Sequence, residues 1–123
     1  MERSTIYKRD QVPVGAQLSA WSSREWSDGV QIGEMPDLET LTVQTQNSIY
    51  EITVLSGKTG EVLVRRGQFF PEWTPAQLAG ASLGGSFLKA GGIYPGFKIE
   101  FRHDDRLIIT SLVRRIISER RDP

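Results

Sequence analysis

The sequence has no cysteine and only one histidine among its 123 residues. Without cysteine the chain forms neither a disulfide nor a thiolate metal site, so its fold must rest on packing and backbone hydrogen bonds. His103 would be the only nitrogen ligand of a zinc ion, which argues against a zinc centre. We therefore expect no metal and no cofactor.

Long apolar runs are also missing from the sequence. No stretch approaches the roughly 18 consecutive apolar residues of a membrane-spanning helix. The first residues, Met1 to Ser4, lack the apolar run of a signal peptide. These absences predict a cytoplasmic protein that makes no contact with a membrane.

The chain has no net charge, because 15 basic residues balance 15 acidic ones. The charges are nevertheless unevenly placed: residues 1–40 hold seven acids and four bases, and the remainder has an excess of bases. We expect the two regions to attract each other weakly. Much of the basic excess lies close to the end of the sequence, at Arg106, Arg114, Arg115, Arg120 and Arg121.

The apolar pattern divides the chain into three parts. A chain of this length has enough surface for one core and too little for two. Up to Leu38 the apolar residues follow neither a strand nor a helix period, and a regular pattern begins soon afterwards. We predict an irregular N-terminal arm or tail over 1–38, a β-barrel domain over 39–118 and a C-terminal tail over 119–123.

The arm contains two tryptophans, Trp21 and Trp26, together with short extended pairs of valine and isoleucine. Few aromatic residues are expected in a plain disordered tail. The arm is therefore predicted to dock, either on its own domain or on a neighbouring subunit.

Alternating apolar and polar residues predict strands from residue 41 onwards. The glycine-containing loop Ser56–Gly60 indicates a hairpin, and Thr74 followed by Pro75 predicts a short helical turn that ends before Gly80. The predicted strands cover 41–45, 50–54, 61–66, 97–102 and 107–117, the last with a bend near Thr110 and Ser111.

These elements predict a mainly β fold: a small closed or nearly closed β-barrel of the OB or SH3-like kind, with five to six strands and one short helical turn. A β-sandwich is the alternative. Six of the twelve glycines lie between residues 80 and 96, as expected where a sheet bends or a loop holds a ligand. A phosphate loop is not predicted, because Lys89 is followed by Ala90 and Gly91 and opens no helix.

His103 is the only candidate for acid-base catalysis by an imidazole, and it lies in a charged turn beside Asp104 and Asp105. No nucleophile motif accompanies it, and Ser86, Thr110 and Ser111 are candidates only because they carry hydroxyls. The pattern favours a solvated turn residue, so a small enzyme using His103 is the least favoured interpretation.

Aromatic and arginine residues are the candidate binding residues. Phe69, Phe70 and Trp73 lie in a predicted connection, where they either cap the barrel or are exposed to a partner. Arginines beside exposed rings would resemble a surface for single-stranded nucleic acid. The complete candidate set is Trp21, Trp26, Phe69, Phe70, Trp73, Tyr94, Arg114 and Arg115.

The sequence thus favours a non-enzymatic binding and assembly module, a homo-oligomer that self-associates through its N-terminal arm. A protein or peptide partner is compatible with the same residues. The alternative is binding of single-stranded nucleic acid through an arginine-rich barrel surface, against which the chain's neutrality argues.

Overall fold

The computed structural model describes residues 29–67, 69–84 and 87–119, and these residues form ten strands and one 3-10 turn over Ile32–Glu34. The described residues contain no α-helix, and hence no helix that could cross a membrane. The strands are β1 Val30–Gln31, β2 Thr40–Thr45, β3 Ile49–Ser56, β4 Glu61–Arg65, β5 Thr74–Ser82, β6 Leu88–Ala90, β7 Gly92–Ile93, β8 Lys98–His103, β9 Arg106–Ile109 and β10 Val113–Glu119.

The strands pair in two antiparallel sheets, so the predicted mainly β fold is confirmed. The larger sheet has the order β10-β2-β3-β4-β5-β8-β9, and β6 also pairs with β5. The smaller sheet consists of β1 and β7 alone. All three links between successive strands from β2 to β5 are antiparallel pairings of sequence neighbours. Local patterning predicted the strands of the first two pairings, whereas the third involves β5, where a helical turn was predicted.

Alternation in β2, β3 and β4 buries one face of the sheet. Leu41 lies opposite Ile52, and Ile52 lies opposite Val64, so the three side chains form one buried row across the sheet. Within this core the Phe70 ring meets the rings of Tyr50 and Phe101 edge to face, with centroids 6.4 Å and 5.4 Å from its own. The predicted hairpin loop at 56–60 joins β3 to β4 as expected.

The predicted helical turn at Thr74 is wrong. Residues 74–82 form β5, the longest strand, and Thr74 and Pro75 lie opposite Val64 and Leu63 of β4. Capping signals are local, whereas β4 offers this segment a row of backbone partners on one side and β8 offers another. Pro75 is tolerated because it lies at the start of the strand, where its missing N–H removes little from the ladder.

The predicted bend in the last strand lies at residues 110–112, which separate β9 from β10. Buried hydroxyls hold this corner. Ser111 Oγ donates to Thr45 Oγ1 at 2.8 Å, the Ile99 amide donates to Thr110 Oγ1 at 3.0 Å, and the Gln46 amide donates to the Leu112 carbonyl at 2.9 Å. The corner therefore joins β9, β2 and β8 through side chains as well as backbone.

The barrel and the domain boundaries stay predictions. The pairing order of the described strands runs from β10 to β9 and does not close. Of the predicted arm, residues 1–28 lie outside the described residues. Its remainder contacts the domain: Val30 pairs with Ile93, and Ile32 is wholly buried in the main core. Of the predicted C-terminal tail, only residue 119 is described, as the end of β10.

Candidate functional site

The side of the sheet that faces away from the core carries the candidate site. We call the outward side of β10, β2, β3 and β4 the outer face. Its residues alternate with the buried ones along each strand, and no described strand packs over it. Its outward residues are Thr40, Thr42 and Gln44 of β2, Ile49, Glu51 and Thr53 of β3, Glu61, Leu63 and Arg65 of β4, and Arg115 and Ile117 of β10.

Trp73 is held on the outer face by Arg65. The guanidinium carbon of Arg65 lies 4.5 Å from the centroid of the indole ring. Arg65 Nε in turn donates to Glu51 Oε1, because the register of β3 and β4 places these two residues directly opposite each other. The indole is 38% exposed and yet has a fixed neighbour. Such a contact contributes about 0.5–1 kcal/mol at an exposed site, enough to favour one orientation of the ring.

Two further large apolar side chains are exposed on the same face. Ile117 lies opposite Thr42, which lies opposite Glu51, which lies opposite Arg65. This row crosses four strands, a distance of about 14 Å. Ile117 is 43% exposed at one end of the row. Ile49 is 37% exposed and lies on β3, two residues from Glu51 of the row.

Because the Trp73 ring packs on Arg65, the row ends in an apolar side chain on each side, Ile117 and Trp73, with the charged pair of Glu51 and Arg65 between them. Aromatic and arginine anchors surrounded by polar groups are typical of protein interfaces. The arrangement is therefore that of a surface that can bind a polypeptide.

The structure separates the other predicted aromatic residues from Trp73. Phe70 is wholly buried in the core, and Phe69 packs against that core while partly exposed. Tyr94 is buried in a second, smaller cluster with Ala81 and Phe97, and its hydroxyl accepts a hydrogen bond from Gln31 Nε2 at 2.9 Å. Among the candidates in the connection between β4 and β5, Trp73 is the one that presents a large exposed apolar area.

The two predicted arginines of β10 are both exposed. Arg115 belongs to the outer face and lies opposite Gln44 of β2. Gln44 in turn lies opposite Ile49 of β3. Arg114 is the extra residue of a β-bulge, between Val113 opposite Thr45 and Arg115 opposite Gln44. Trp21 and Trp26 lie outside the described residues. Of the predicted binding residues, the structure therefore places Trp73 and Arg115 on one face of the sheet.

His103 lies at an open groove beside Arg102 and Asp104, at the ends of β5 and β8. Its Nδ1 donates to the Pro75 carbonyl at 3.0 Å, and its Nε2 lies 3.3 Å from Asp104 Oδ2. The described residues that line this groove include carboxylates but no hydroxyl or thiol.

The hydroxyl candidates lie elsewhere in the structure. Thr110 and Ser111 are buried in the corner between β9 and β10 and hydrogen-bonded there, and Ser86 lies outside the described residues. The described residues also contain no group of three or more histidine, cysteine, aspartate or glutamate side chains that could hold a metal ion. Among the described residues, no hydroxyl or thiol therefore lies beside His103 in this groove.

Sequence reasoning missed Glu51, Ile49 and Ile117. The pair of Glu51 and Arg65 could have been found, because the predicted hairpin fixes which residues of its two strands face each other. Ile117 could not, because its neighbours on β2 are far away in the sequence and the pairing of β10 with β2 had no local signal. Comparisons with protein-family models, with curated proteins and with solved structures find no match for this chain.

Proposed function

We propose that this protein is a non-enzymatic binding and assembly module that self-associates, with its N-terminal arm as the associating element and the outer face as the surface that receives it. The observation that carries the proposal is Trp73, an exposed indole already oriented by Arg65 and Glu51. An anchor that is ordered before binding loses little conformational entropy when a partner covers it.

The arm is suited to this role by its length and its residues. The 28 residues before Gly29 can span about 90 Å when extended, far enough to reach a second copy of the domain. Two tryptophans in the arm, Trp21 and Trp26, supply anchors of the kind that dominate interfaces.

The proposal includes a nearly closed barrel as the scaffold of the outer face. In support, β9 and β10 are joined by only three residues, while β9 pairs with β8 and β10 pairs with β2. The Val113 amide donates to the Phe97 carbonyl and the Gly96 amide donates to the Val113 carbonyl, both at 2.8 Å. One bent strand formed by β9 and β10 would thus link the two ends of the sheet and fix its curvature.

Substitutions on the outer face of the full-length chain test the proposal. We expect Trp73→Ala and Ile117→Ala to shift the distribution measured by sedimentation velocity towards the monomer. The control is Leu107→Ala, a half-buried leucine of β9 that lies opposite Arg102, three strands beyond β4 and so outside the four strands of the outer face. The proposal would be contradicted if Leu107→Ala caused the same dissociation as the outer-face substitutions. It would also be contradicted if Trp73→Ala and Ile117→Ala both sedimented like the wild type.

A second candidate function is binding of single-stranded nucleic acid. The observation that favours it is the exposed Trp73 ring on the same face as Arg115, since bases stack on exposed aromatic rings and phosphates pair with arginines. Against it, Glu51 already pairs with Arg65 and the chain has no net charge. Titration with a thymidine oligonucleotide at low and high salt tests nucleic-acid binding. This function requires an affinity that falls steeply with salt and is lost in Arg115→Glu.

A further inference from the structure

A groove distinct from the outer face lies between the β3–β4 hairpin loop and the chain around β6. It has a volume of about 440 Å³. Its charged lining residues are Lys58, in the hairpin loop, and Arg102, on β8. Among the described residues, no aspartate or glutamate lines it, although the chain contains 15 acids. The described charges that line this groove are therefore both positive, while Glu61 and Asp104 lie with Arg102 at the neighbouring groove of His103.

The two cations have no direct ionic partner among the described residues. Neither Lys58 nor Arg102 makes an ion pair or a side-chain hydrogen bond within the described ranges, and both are exposed. The cross-strand neighbours of Arg102 are Gln77 and Leu107, which carry no charge. Glu61, near the hairpin loop, accepts a hydrogen bond from Thr59 Oγ1 at 3.1 Å.

Glycines keep the groove open. Gly60 and Gly91 both line it and both have positive φ angles, 83° and 70°. A Cβ atom on Gly60 would lie 2.9 Å from the Leu78 carbonyl oxygen, and one on Gly91 would lie 3.2 Å from Gln31 Oε1. Side chains at these positions would therefore meet the walls of the groove.

Backbone donors at these glycines are already used, so they cannot hold a ligand. The Gly60 amide donates to the Ser56 carbonyl, and the Gly91 amide donates to the Ala79 carbonyl. The charged donors that an anion in the groove can use among the described residues are the side chains of Lys58 and Arg102. Part of the wall is apolar, formed by Leu78, Ala79, Leu88 and Ala90.

From this combination we infer that the groove binds a small amphiphilic anion, with a carboxylate or phosphate head between Lys58 and Arg102 and a short apolar body against the wall. Arginine suits either head because its guanidinium can donate two parallel hydrogen bonds. This site is independent of the proposed assembly function, since its residues are not those of the outer face around Trp73.

Titration of the full-length protein, followed by amide chemical shifts in NMR, tests the inference. The probes are octanoate and octyl phosphate, which distinguish the two heads, with 1-octanol as the uncharged match. We expect saturable shifts of the glycine amides at 57, 60 and 91 with at least one of the anions and not with 1-octanol. An absence of saturable shifts with both anions, or equally tight binding of 1-octanol, would overturn the inference.

Single substitutions distinguish anion binding in this groove from anion binding at other exposed arginines. Lys58→Gln and Arg102→Gln should each weaken anion binding about tenfold, which corresponds to one charge-assisted hydrogen bond. Arg115→Gln, an equally exposed arginine on the outer face, should leave binding unchanged. Because the three variants change exposed side chains, circular dichroism should show the wild-type fold; undiminished binding in both groove variants refutes the site.

Discussion

Single polar residues stabilise the corner where the last strand bends. Thr45 is buried, and its hydroxyl accepts from Ser111 Oγ at 2.8 Å and from the Ser48 amide at 3.1 Å. The same hydroxyl donates to the Ser48 carbonyl at 3.1 Å. One hydroxyl thus connects the β2–β3 turn with the β9–β10 corner. Buried groups of this kind matter most when one partner is removed, because the other is then left unsatisfied.

Thr45→Val tests the importance of this hydroxyl. The substitution keeps the shape of the side chain but leaves Ser111 Oγ and the Ser48 amide without their partner, so we expect a loss of about 1–3 kcal/mol in the free energy of unfolding. The measurement is urea unfolding followed by circular dichroism. Thr42→Val is the matched control, since Thr42 lies on the outer face of the same strand and should change stability by less than about 0.5 kcal/mol. Equal losses in the two variants would refute the role of Thr45.

Close approach of two backbone segments explains why residue 57 is glycine. A Cβ atom there would lie 2.2 Å from the Ile32 carbonyl oxygen, so the 3-10 turn at residues 32–34 and the β3–β4 loop could not stay in contact. We expect Gly57→Ala to lower the free energy of unfolding by about 2 kcal/mol or more. In Gly33→Ala the new atom meets nothing closer than the Gly57 carbonyl oxygen at 3.7 Å, and stability should stay near that of the wild type. Thermal unfolding of both variants compares them, and a stable Gly57→Ala protein contradicts the packing argument.

At the scale of elements, the sequence predicts what is local. Alternation in β2, β3 and β4 and the glycine loop between β3 and β4 predicted two hairpins, because each strand pairs with its neighbour in the chain. The segment at Thr74 was predicted wrongly as a helical turn, because its capping pattern is local while its partners β4 and β8 lie on both sides of it in the fold.

The candidate site divides in the same way between local and distant pairing. Trp73 could be predicted from its place in an aromatic connection, and Glu51 opposite Arg65 follows from the hairpin register. The exposed Ile117 joins this face only through the pairing of β10 with β2, about 70 residues apart in the chain. The burial of Phe70 and Tyr94 likewise depends on distant partners, such as Phe101 and Gln31.

The bulge in β10 leads to a prediction about the whole element. Val113 lies opposite Thr45 and Arg115 opposite Gln44, so Arg114 is the residue without a place in the ladder. Deletion of Arg114 should leave every other side chain of β10 on its present face and preserve cooperative unfolding. Deletion of Thr42, another outward residue, should abolish the native fold because it turns Leu41 to the outer face. Circular dichroism during heating distinguishes the two, and a fold lost with Arg114 would contradict the assigned register.

For the whole molecule, the distribution of large apolar residues agrees with a domain that associates through its arm, which contributes Trp21 and Trp26. The outer face presents Trp73, Ile49 and Ile117 to solvent while Glu51 orders the arginine that holds the indole. Burying such side chains against a second copy would stabilise the complex by about 25 cal/mol for each Å² of apolar area removed from water. The entropic cost of association must be subtracted from this gain.

The most direct test compares the solution mass of the full chain with that of a variant lacking residues 1–28, by sedimentation equilibrium over a range of concentrations. The full chain should sediment as an oligomer and the shortened chain as a monomer, with circular dichroism showing that both retain the β fold. A monomeric full chain, or a folded shortened chain that keeps the oligomeric mass, would contradict assembly through the arm.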